Sequence, residues 1–267
     1  MSVQAPAAVH PAPSLHRALK LVHHNFLAYQ HHWIAFVTGF FEPLFYLVGV
    51  GFGVGQFIET ISYGDMRLEY ASFLAPGLLA AATLNGALYD GFFSPFFRLN
   101  WEKTYDGIIA TPVSISDIAV GEVLWALIRG TIYGFGFLIV MLVLGLVHSA
   151  WALLALPAVM LSGGALSAGA MILTSITKQL SSLEKVMTLV VFPLFLFSGT
   201  FFPVSLYPEY LRPVVQATPL YHSASLLRDL TSGQVGLPTI GHVAYLGAMF
   251  VIAATIAIRL MRRRLIS

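Results

Sequence analysis

The sequence is poor in charge and contains no cysteine. Only 10% of its 267 residues are charged, while 57% are hydrophobic and the mean hydropathy is +0.80. No soluble domain of this length tolerates such a balance, and nothing in the chain indicates a nucleic-acid partner. The absence of cysteine excludes disulfides and thiolate metal sites, although it leaves the cellular compartment undecided.

The chain also lacks the motifs of common catalytic sites. None of its four lysines follows the pattern G-x-x-x-x-G-K-[ST], so it has no P-loop and cannot hydrolyse ATP alone. The patterns G-x-S-x-G and H-E-x-x-H are missing too, and His222, Ser223 and Asp229 fit ordinary helix capping better than a catalytic set. We therefore expect no catalytic residue, no bound cofactor and no metal site in this chain.

Long apolar runs are the dominant feature that is present. They approach the ~20 residues that a helix needs to cross the hydrocarbon core. We predict an all-α polytopic membrane protein with six transmembrane helices, in which residues 1–13 form a disordered, Ala/Pro-rich tail and residues 14–267 one transmembrane domain. The predicted spans are 33–54, 73–93, 119–147, 151–175, 186–202 and 239–260.

The distribution of lysine and arginine predicts the orientation. If the N-terminus is cytoplasmic, ten basic residues lie on or next to the cytoplasm, only Arg67, Arg212 and Arg228 lie outside, and Arg129 falls within the third span. Because basic residues concentrate in cytoplasmic loops, both termini are predicted to be cytoplasmic. The ten are Arg17, Lys20, Arg98, Lys103, Lys178, Lys185, Arg259, Arg262, Arg263 and Arg264.

A segment at 14–32 precedes the first span and has an amphipathic pattern. Its apolar residues recur at helical spacing, opposite Arg17, Lys20 and several histidines. This pattern predicts an interfacial helix along the inner leaflet. The apolar residues are Leu15, Leu19, Val22, Phe26 and Tyr29.

The segment 94–125, between the second and third spans, is the longest polar and aromatic stretch among the spans. Ser94 and Pro95 predict a helix start, and the Thr111-Pro112 pair predicts its end. Spacings of four, four and three place Phe97, Trp101, Tyr105 and Ile108 on one face, while Arg98, Glu102, Lys103 and Asp106 occupy the rest. Ser114 and Asp117 predict a capping box that starts the next span. Such a helix suits mechanical coupling to a soluble partner.

Ionisable residues inside the predicted spans are candidates for a translocation path. Glu42, Asp90, Glu122 and Arg129 are the notable ones. Glu42 is either functional or a structural seal beside Pro43, and Arg129 is expected to pair with Asp90 or Glu42. The glycines at 49, 51, 53 and 55 form two small-xxx-small pairs that permit close helix approach, within the bundle or across a dimer.

A second unusual region, 192–236, is too interrupted by proline to cross the membrane and too apolar for a free loop. Amphipathic half-helices that re-enter the outer leaflet fit it best. Phe201 and Phe202 lie in it, and Tyr207, Tyr210 and Tyr221 suit the outer headgroup belt. The region is predicted to shape the exit for an amphipathic substrate, and the alternatives are a structural plug or a dimer brace.

The order of these parts resembles the ABC-2 type permease family, of the type V exporter kind, and among its members the NodJ-type branch of nodulation-factor (lipooligosaccharide) exporters. The similarity covers nearly the whole chain from about residue 20, whereas the His-rich and Ala/Pro-rich N-terminus departs from it. The stretches that carry the resemblance are EPLFYLVGVGFGVG, YASFLAPGL, ATPVSISDIAVGEVLWA, FLFSGTFFPV, PLYHSASLLR and the terminal RRRL.

The resemblance implies a permease subunit in the bacterial cytoplasmic (inner) membrane. It would form a homodimer, pair with two copies of a separate ABC ATPase that holds ATP and Mg²⁺, and export a lipid-linked saccharide, a lipid or a hydrophobic drug. The family would place 101–108 in a cleft of the ATPase, with Arg98, Glu102, Lys103 and Asp106 setting the register. The alternative is a proton-coupled secondary efflux transporter, although no internal repeat of broken helices supports it.

Overall fold

The computed structural model describes residues 14–29, 41–58, 60–109 and 111–266, and most of them are helical. Within these ranges, four helices are long and apolar enough to cross a membrane, and they match the predicted second, third, fourth and sixth spans. The predicted tail 1–13 and the first part of the first predicted span lie outside the described residues. The four helices are Tyr70–Asn100, Ile115–Val143, Ala150–Ile176 and Leu237–Arg264.

The elements follow one another along the chain as mostly α-helical segments, with one short hairpin and several π or 3-10 turns. In the first half they are α1 (Leu15–Tyr29), α2 (41–46), a π-helix Leu47–Phe52, a 3-10 helix Val54–Gln56, β1 (Thr60–Tyr63), β2 (Met66–Glu69), α3 (Tyr70–Leu88), a π-helix Tyr89–Phe93, α4 (Ser94–Asn100) and α5 (Thr104–Ile109). In the second half they are α6 (Ile115–Val143), a 3-10 helix Ala150–Leu154, α7 (Ala155–Ile176), α8 (Leu180–Val186), a π-helix Met187–Val191, α9 (Phe192–Leu196), a 3-10 helix Val204–Leu206, α10 (Arg212–Gln216), α11 (Pro219–Ser232) and α12 (Leu237–Ile266).

The predicted helix start at Ser94 and Pro95 is wrong, because the second span continues through both residues to Asn100. Ser94 has helical backbone angles and makes no cap. A proline inside a helix leaves a carbonyl without its usual donor. Here a π-turn precedes Pro95, and the hydroxyl of Thr174 supplies the missing donor. Thr174 Oγ1 donates to the carbonyls of Gly91 (3.0 Å) and Phe92 (2.9 Å).

The single amphipathic helix predicted over 94–111 is therefore two helices. The chain breaks at Trp101–Lys103, where Lys103 has a φ of 51°, and resumes as α5. A left-handed residue of this kind ends the helix and changes the chain direction. Of the four residues predicted to share a face, Phe97 consequently lies on α4, Trp101 in the break, and Tyr105 and Ile108 on α5.

The predicted capping box at the start of the third span is confirmed. The Ser114 hydroxyl accepts from the Asp117 main-chain N–H, and the Asp117 carboxylate accepts from the Ser114 N–H. Two of the free N–H groups of the first helical turn are thereby satisfied, so α6 begins at Ile115.

The predicted fifth span, 186–202, is displaced towards the N-terminus. The chain is helical from Leu180 to Leu196, through α8, a π-turn and α9, and it leaves the helix at Phe197. Gly199, with a φ of 74°, then turns the chain. After this turn the region forms the short α10 and the 14-residue α11, whose residues 223–232 are all buried.

A β-hairpin departs from the predicted all-α architecture. Strands β1 and β2 pair antiparallel, with Tyr63 opposite Met66 across a two-residue Gly64-Asp65 turn. Gly64 has a φ of 56°, which suits such a turn. The hairpin joins the end of the first span to the start of α3.

The bundle has two distinct ends. Helix α3 lies at its centre and contacts α6, α7 and α11. We call the end that holds Asn100, Ser114, Thr177 and Arg264 the basic end, and the opposite end, which carries β1 and β2, the hairpin end. The predicted orientation assigns the basic end to the cytoplasm.

The N-terminal helix lies at the basic end, as its sequence predicts, and it packs on α6. Its buried side consists of Ala18, Leu21 and Asn25. Part of the apolar stripe noted in the sequence points away from the bundle, because Leu15 and Phe26 are more than half exposed, whereas Tyr29 packs edge-on against Trp125 of α6. An apolar face turned away from the protein is what an interfacial helix presents to lipid.

The glycines that end the first span divide their roles. A Cβ on Gly51 would lie 3.4 Å from Leu74 and 3.8 Å from Ala71, and one on Gly55 would lie 3.8 Å from Tyr70. Gly51 and Gly55 thus face α3 within the bundle, where a Cβ would make ordinary contacts, while a Cβ on Gly49 would meet open space.

Candidate coupling site

A buried carboxylate at the basic end joins four helices. Glu122 of α6 is 1% exposed and accepts three hydrogen bonds. Arg98 Nη1 of α4 lies 2.6 Å from Oε1, and the hydroxyl of Tyr105 of α5 lies 3.0 Å from the same oxygen. Asn25 Nδ2 of α1 lies 3.3 Å from Oε2. We call these four residues the Glu122 network.

The Glu122 network satisfies its charges internally. Arg98 also donates to Asn25 Oδ1 at 2.8 Å, so the guanidinium and the carboxylate share a neutral bridge as well as a direct ion pair. Burial raises the pKa of the Tyr105 phenol well above its usual range, so it stays a neutral donor to Glu122. A buried ion pair holds its geometry because removing either partner leaves an uncompensated charge.

A second carboxylate fastens the N-terminal helix to the start of α6. Asp117 accepts from the Ser14 main-chain N–H at 2.6 Å and from Arg17 Nε at 2.7 Å, in addition to its role in the capping box. The first turns of α1 and α6 are thereby tied together.

Arg264 near the C-terminus fastens the same end from the other side. Its guanidinium donates to the main-chain carbonyls of Thr174 and Thr177 at the end of α7, and to Asn100 Oδ1 (2.9 Å) at the end of α4. The bonds to α7 fill orphan carbonyls at a helix C-terminus, where a cation is favoured. The ends of the second, fourth and last spans are thus held together.

The break before α5 exposes a small surface, which we call the coupling surface, made of Trp101, Glu102 and Lys103. Trp101 is 64% exposed, although its ring stacks edge-on against Phe97 with centroids 4.8 Å apart. Glu102 and Lys103 are exposed beside it. An exposed aromatic residue with charged neighbours is typical of a protein contact.

The six residues predicted to couple to a partner divide between this surface and the interior. Trp101 and Glu102 are exposed, whereas Arg98 and Tyr105 are held in the Glu122 network. Ile108 is half-buried, and the side chain of Asp106 lies outside the described residues. The interior pair supports the coupling surface from behind.

The other charges predicted within the spans occupy different surroundings. Glu42 is exposed in a groove of about 670 Å³ that is otherwise apolar, with Phe41, Phe45 and Tyr46 among its walls. The guanidinium of Arg129 lies 4.0 Å from the ring centroid of Tyr29. The side chain of Asp90 lies outside the described residues, so its pairing with Arg129 stays a prediction.

The hairpin end holds a polar cluster that the sequence did not reveal. Asp229 of α11 accepts from the Tyr63 hydroxyl at 2.5 Å and from Thr239 Oγ1 at 2.7 Å. The neighbouring Arg228 donates to the carbonyls of Phe73 and Gly199, both at 3.0 Å, and its guanidinium lies 3.8 Å from the centroid of the Phe73 ring. Burial raises the pKa of Tyr63, which keeps this phenol a donor.

The aromatic residues predicted at the exit are spread over the same end. Phe201 is buried, with its ring edge-on to Phe195 at 5.1 Å, while Phe202 is exposed. Tyr207 is half-buried, and its hydroxyl donates to the Leu196 carbonyl at 3.3 Å. Tyr221, also half-buried, lies edge-on to two histidines.

Those histidines form a pair across α11 and α12. His222 Nδ1 and His242 Nδ1 are 2.7 Å apart, and the His222 ring stacks on Tyr245 with centroids 3.8 Å apart. The positions are 20 residues apart on different helices, so no spacing rule connects them. The hairpin, by contrast, had a local signal, because Gly-Asp between short alternating runs is typical of a two-residue turn.

Comparison with known proteins shows which family this architecture belongs to. The model of the ABC-2 type transporter family matches residues 18–231, which include most of the N-terminal helix, the coupling surface and most of α11. Nodulation protein J of Rhizobium meliloti (strain 1021) is 30% identical over 246 residues, which cover 90% of this chain and 91% of that protein. Nodulation protein J of Rhizobium leguminosarum bv. viciae is 29% identical, covering 90% and 92%.

The similarity extends beyond one genus. Nodulation protein J of Bradyrhizobium diazoefficiens is 28% identical over 243 residues, which cover 91% of both chains. A family model that matches most of the chain and relatives that match along nearly its whole length point the same way as the apolar helices. The chain is a multi-pass membrane protein that belongs to the ABC-2 type transporter family.

Proposed function

We propose that this chain is the permease subunit of an ATP-driven exporter and that a separate ABC ATPase drives it by pressing on the coupling surface. Two copies of the permease pair with two copies of the ATPase, which holds ATP and Mg²⁺. Both termini face the cytoplasm, and the complex lies in the inner membrane of a bacterium. The cargo is amphipathic: a lipid-linked saccharide, a lipid or a hydrophobic drug.

The observation that carries this proposal is the way the coupling surface is mounted. Trp101 is exposed at the tip of the bundle, while Tyr105, four residues on, is anchored to Glu122 inside it. A force on this surface passes through the Glu122 network to α1, α4 and α6 together. Such a mounting suits a partner that pushes or pulls on the bundle.

The groove beside Glu42 supports a cargo path between two copies. It exposes an acidic residue and large aromatic side chains on the described part of the first span. Phe45 is 68% exposed there. An acidic residue on an apolar wall is costly against lipid and is better placed in a polar passage, which a second copy would complete.

A matched pair of tryptophans tests the proposal. Trp101→Ala is expected to reduce co-purification of the co-expressed ATPase by at least about tenfold, because a buried aromatic anchor contributes on the order of 2 kcal/mol to an interface. Trp151→Ala, at the hairpin end, is the control, since Trp151 is 52% exposed but far from the coupling surface. Undiminished co-purification of Trp101→Ala would contradict the proposal.

The alternative of a proton-coupled transporter makes a different prediction for the same preparation. Transport by reconstituted complex is expected to stop with orthovanadate and to continue with an uncoupler. The Glu122 network favours the ATP-driven mechanism, because its carboxylate is already committed to Arg98 and Tyr105. Transport that stopped only with the uncoupler would support the alternative.

A further inference from the structure

The last helix, α12, connects the two ends of the bundle in one piece. Its 30 residues run from Leu237 to Ile266 and form a rod about 45 Å long, since each residue of an α-helix adds ~1.5 Å. The first, second and fifth spans are each interrupted by a π-turn, whereas α12 is α-helical throughout. A displacement of one end of this helix therefore reaches the other end.

Polar side chains hold α12 to its neighbour at the hairpin end. Thr239 Oγ1 donates to Asp229 of α11 at 2.7 Å. Three residues further on, the Nδ1 atoms of His242 and His222 lie 2.7 Å apart. Both contacts join the first two turns of α12 to α11, so these turns and α11 are fastened to each other.

The middle of α12 packs against α7 through apolar contacts. A Cβ on Gly164 would lie 3.0 Å from the ring of Phe250, and a Cβ on Gly169 would lie 3.5 Å from Met249. Within the described part of the chain, no side chain from 246 to 263 makes a hydrogen bond to another helix. Apolar contacts are not directional, so this part of α12 can shift along α7 more readily than its hydrogen-bonded ends.

A single polar side chain, Arg264, holds α12 at the basic end. Its guanidinium donates through Nη1 to two carbonyls at the end of α7, and through Nη2 to Asn100 Oδ1 at 2.9 Å. The amide of Asn100 is itself fixed, because its Nδ2 donates to the Phe96 carbonyl at 2.8 Å. Asn100 is the last residue of α4, and Trp101 of the coupling surface follows it directly.

The bond from Arg264 to Asn100 has no part in capping α7. The two bonds to α7 satisfy carbonyls at a helix C-terminus, which a well-placed cation does in many proteins. Asn100 belongs to a different helix, and only the planar fork of an arginine can face both helices at once. The neighbouring Arg262 and Arg263 are exposed, so Arg264 differs from them in its position and not in its charge.

We propose that Arg264 is a positioning residue that links the coupling surface to α12, and that α12 carries a displacement of this surface to the hairpin end. The inference rests on the proposed function, because the ATPase supplies the displacement. The apolar middle of α12 lets the helix move, and the polar bonds at its two ends determine which parts of the bundle move with it.

A spin label at Leu237 tests the inference. The chain has no cysteine, so Leu237→Cys creates one labelling site, and Leu237 is 84% exposed at the first residue of α12. The labelled permease is co-purified with a cysteine-free ATPase, and EPR spectra are recorded without nucleotide and after trapping with MgATP and orthovanadate. Otherwise wild-type permease is expected to change its line shape on trapping. Arg264→Met is expected to lose this change and to keep the ATPase.

Variants at Asn100 separate the link to α12 from the capping of α7. Asn100→Leu leaves the bonds between Arg264 and α7 in place, and it is expected to lose the response of the label. Asn100→Asp keeps an acceptor for Arg264 and is expected to respond as the wild type does. Arg263→Met, which removes an exposed charge next to Arg264, is the matched control and should also keep the response.

Three results would overturn the inference and leave the proposed function standing. They are a wild-type complex whose label does not respond to trapping, a response that survives in Asn100→Leu or in Arg264→Met, and a response that Arg263→Met abolishes as well. Loss of ATPase co-purification by Asn100→Leu would also overturn it, since Asn100 would then act in binding the ATPase. A wild-type permease that holds no ATPase would overturn the proposed function and this inference together.

Discussion

The two ends of the bundle are fastened by different chemistry. At the basic end, Arg17 pairs with Asp117 and Arg98 with Glu122, and both ion pairs found in the described part of the chain lie here. At the hairpin end, neutral donors such as Tyr63 hold Asp229, and α11 and α12 meet through a pair of histidines. Removing one partner of a buried ion pair costs on the order of 3–5 kcal/mol, whereas removing one neutral donor to a buried carboxylate costs about 1.5–3 kcal/mol. The basic end is therefore suited to moving as one piece, and the hairpin end is held by individually weaker bonds.

The largest effect is expected from Glu122→Gln. This change leaves Arg98 buried without its counter-ion, and losing one partner of such a pair costs on the order of 3–5 kcal/mol. At about 2–4 °C per kcal/mol for a chain of this size, the melting temperature in detergent should fall by roughly 10 °C. Fluorescence-detected size-exclusion after heating measures it.

The double variant Arg98→Met/Glu122→Leu is the control for that experiment. It removes both charges and refills the space with apolar atoms, so it is expected to recover most of the lost stability. A double variant as unstable as Glu122→Gln would show that the hydrogen bonds to Asn25 and Tyr105, rather than the charge pair, hold the basic end together.

A smaller effect, and a sharper comparison, comes from matched Tyr→Phe changes at the two ends. Tyr105→Phe and Tyr63→Phe each remove one hydroxyl that donates to a buried carboxylate, so each should cost about 1.5–3 kcal/mol. Their functional effects should differ. Tyr105→Phe is expected to lower cargo-stimulated ATPase activity of the complex, while Tyr63→Phe leaves ATPase co-purification unchanged. If both variants lost ATPase co-purification equally, the two ends of the bundle would not function independently of each other in binding the ATPase.

Much of the basic end could be predicted from sequence because its signals are local. The capping box of Ser114 and Asp117 spans three residues and is confirmed, as is the helix at the N-terminus. The family also follows from the order of short motifs. These features depend on neighbours in the chain, which spacing rules describe well.

The features that sequence reasoning missed depend on distant partners. Pro95 lies inside a helix because the hydroxyl of Thr174 satisfies the carbonyls it leaves free. Tyr105 faces inward because its hydroxyl donates a hydrogen bond to Glu122, which lies 17 residues further along the chain. The polar cluster at the hairpin end joins Tyr63 of β1, Asp229 of α11 and Thr239 of α12, and only the Gly64-Asp65 turn of its hairpin carried a signal. Arg98 and Tyr105, which the sequence assigned to a partner contact, are instead held inside the bundle by Glu122.

The smallest expected effect tests whether the hairpin end responds to pH. The pKa of His222 is lowered to about 4 from an ordinary value of 6.5, mainly by burial and secondly by the neighbouring His242. Between these two values the folded protein binds fewer protons than the unfolded chain, so the stabilising contribution of His222 is complete above pH 6.5 and is lost as the pH falls towards 4. Two protonated rings could not keep their nitrogens 2.7 Å apart, so the contact between α11 and α12 should loosen over this range.

Melting temperatures of the wild type and of His222→Gln, recorded from pH 7.5 to 4.5, should converge as the pH falls. His16→Gln, which changes an exposed histidine at the basic end, should keep the wild-type slope. A difference between wild type and His222→Gln that stayed constant with pH would show that the histidine pair acts by packing alone, and the two ends would then differ in charge but not in their response to protons.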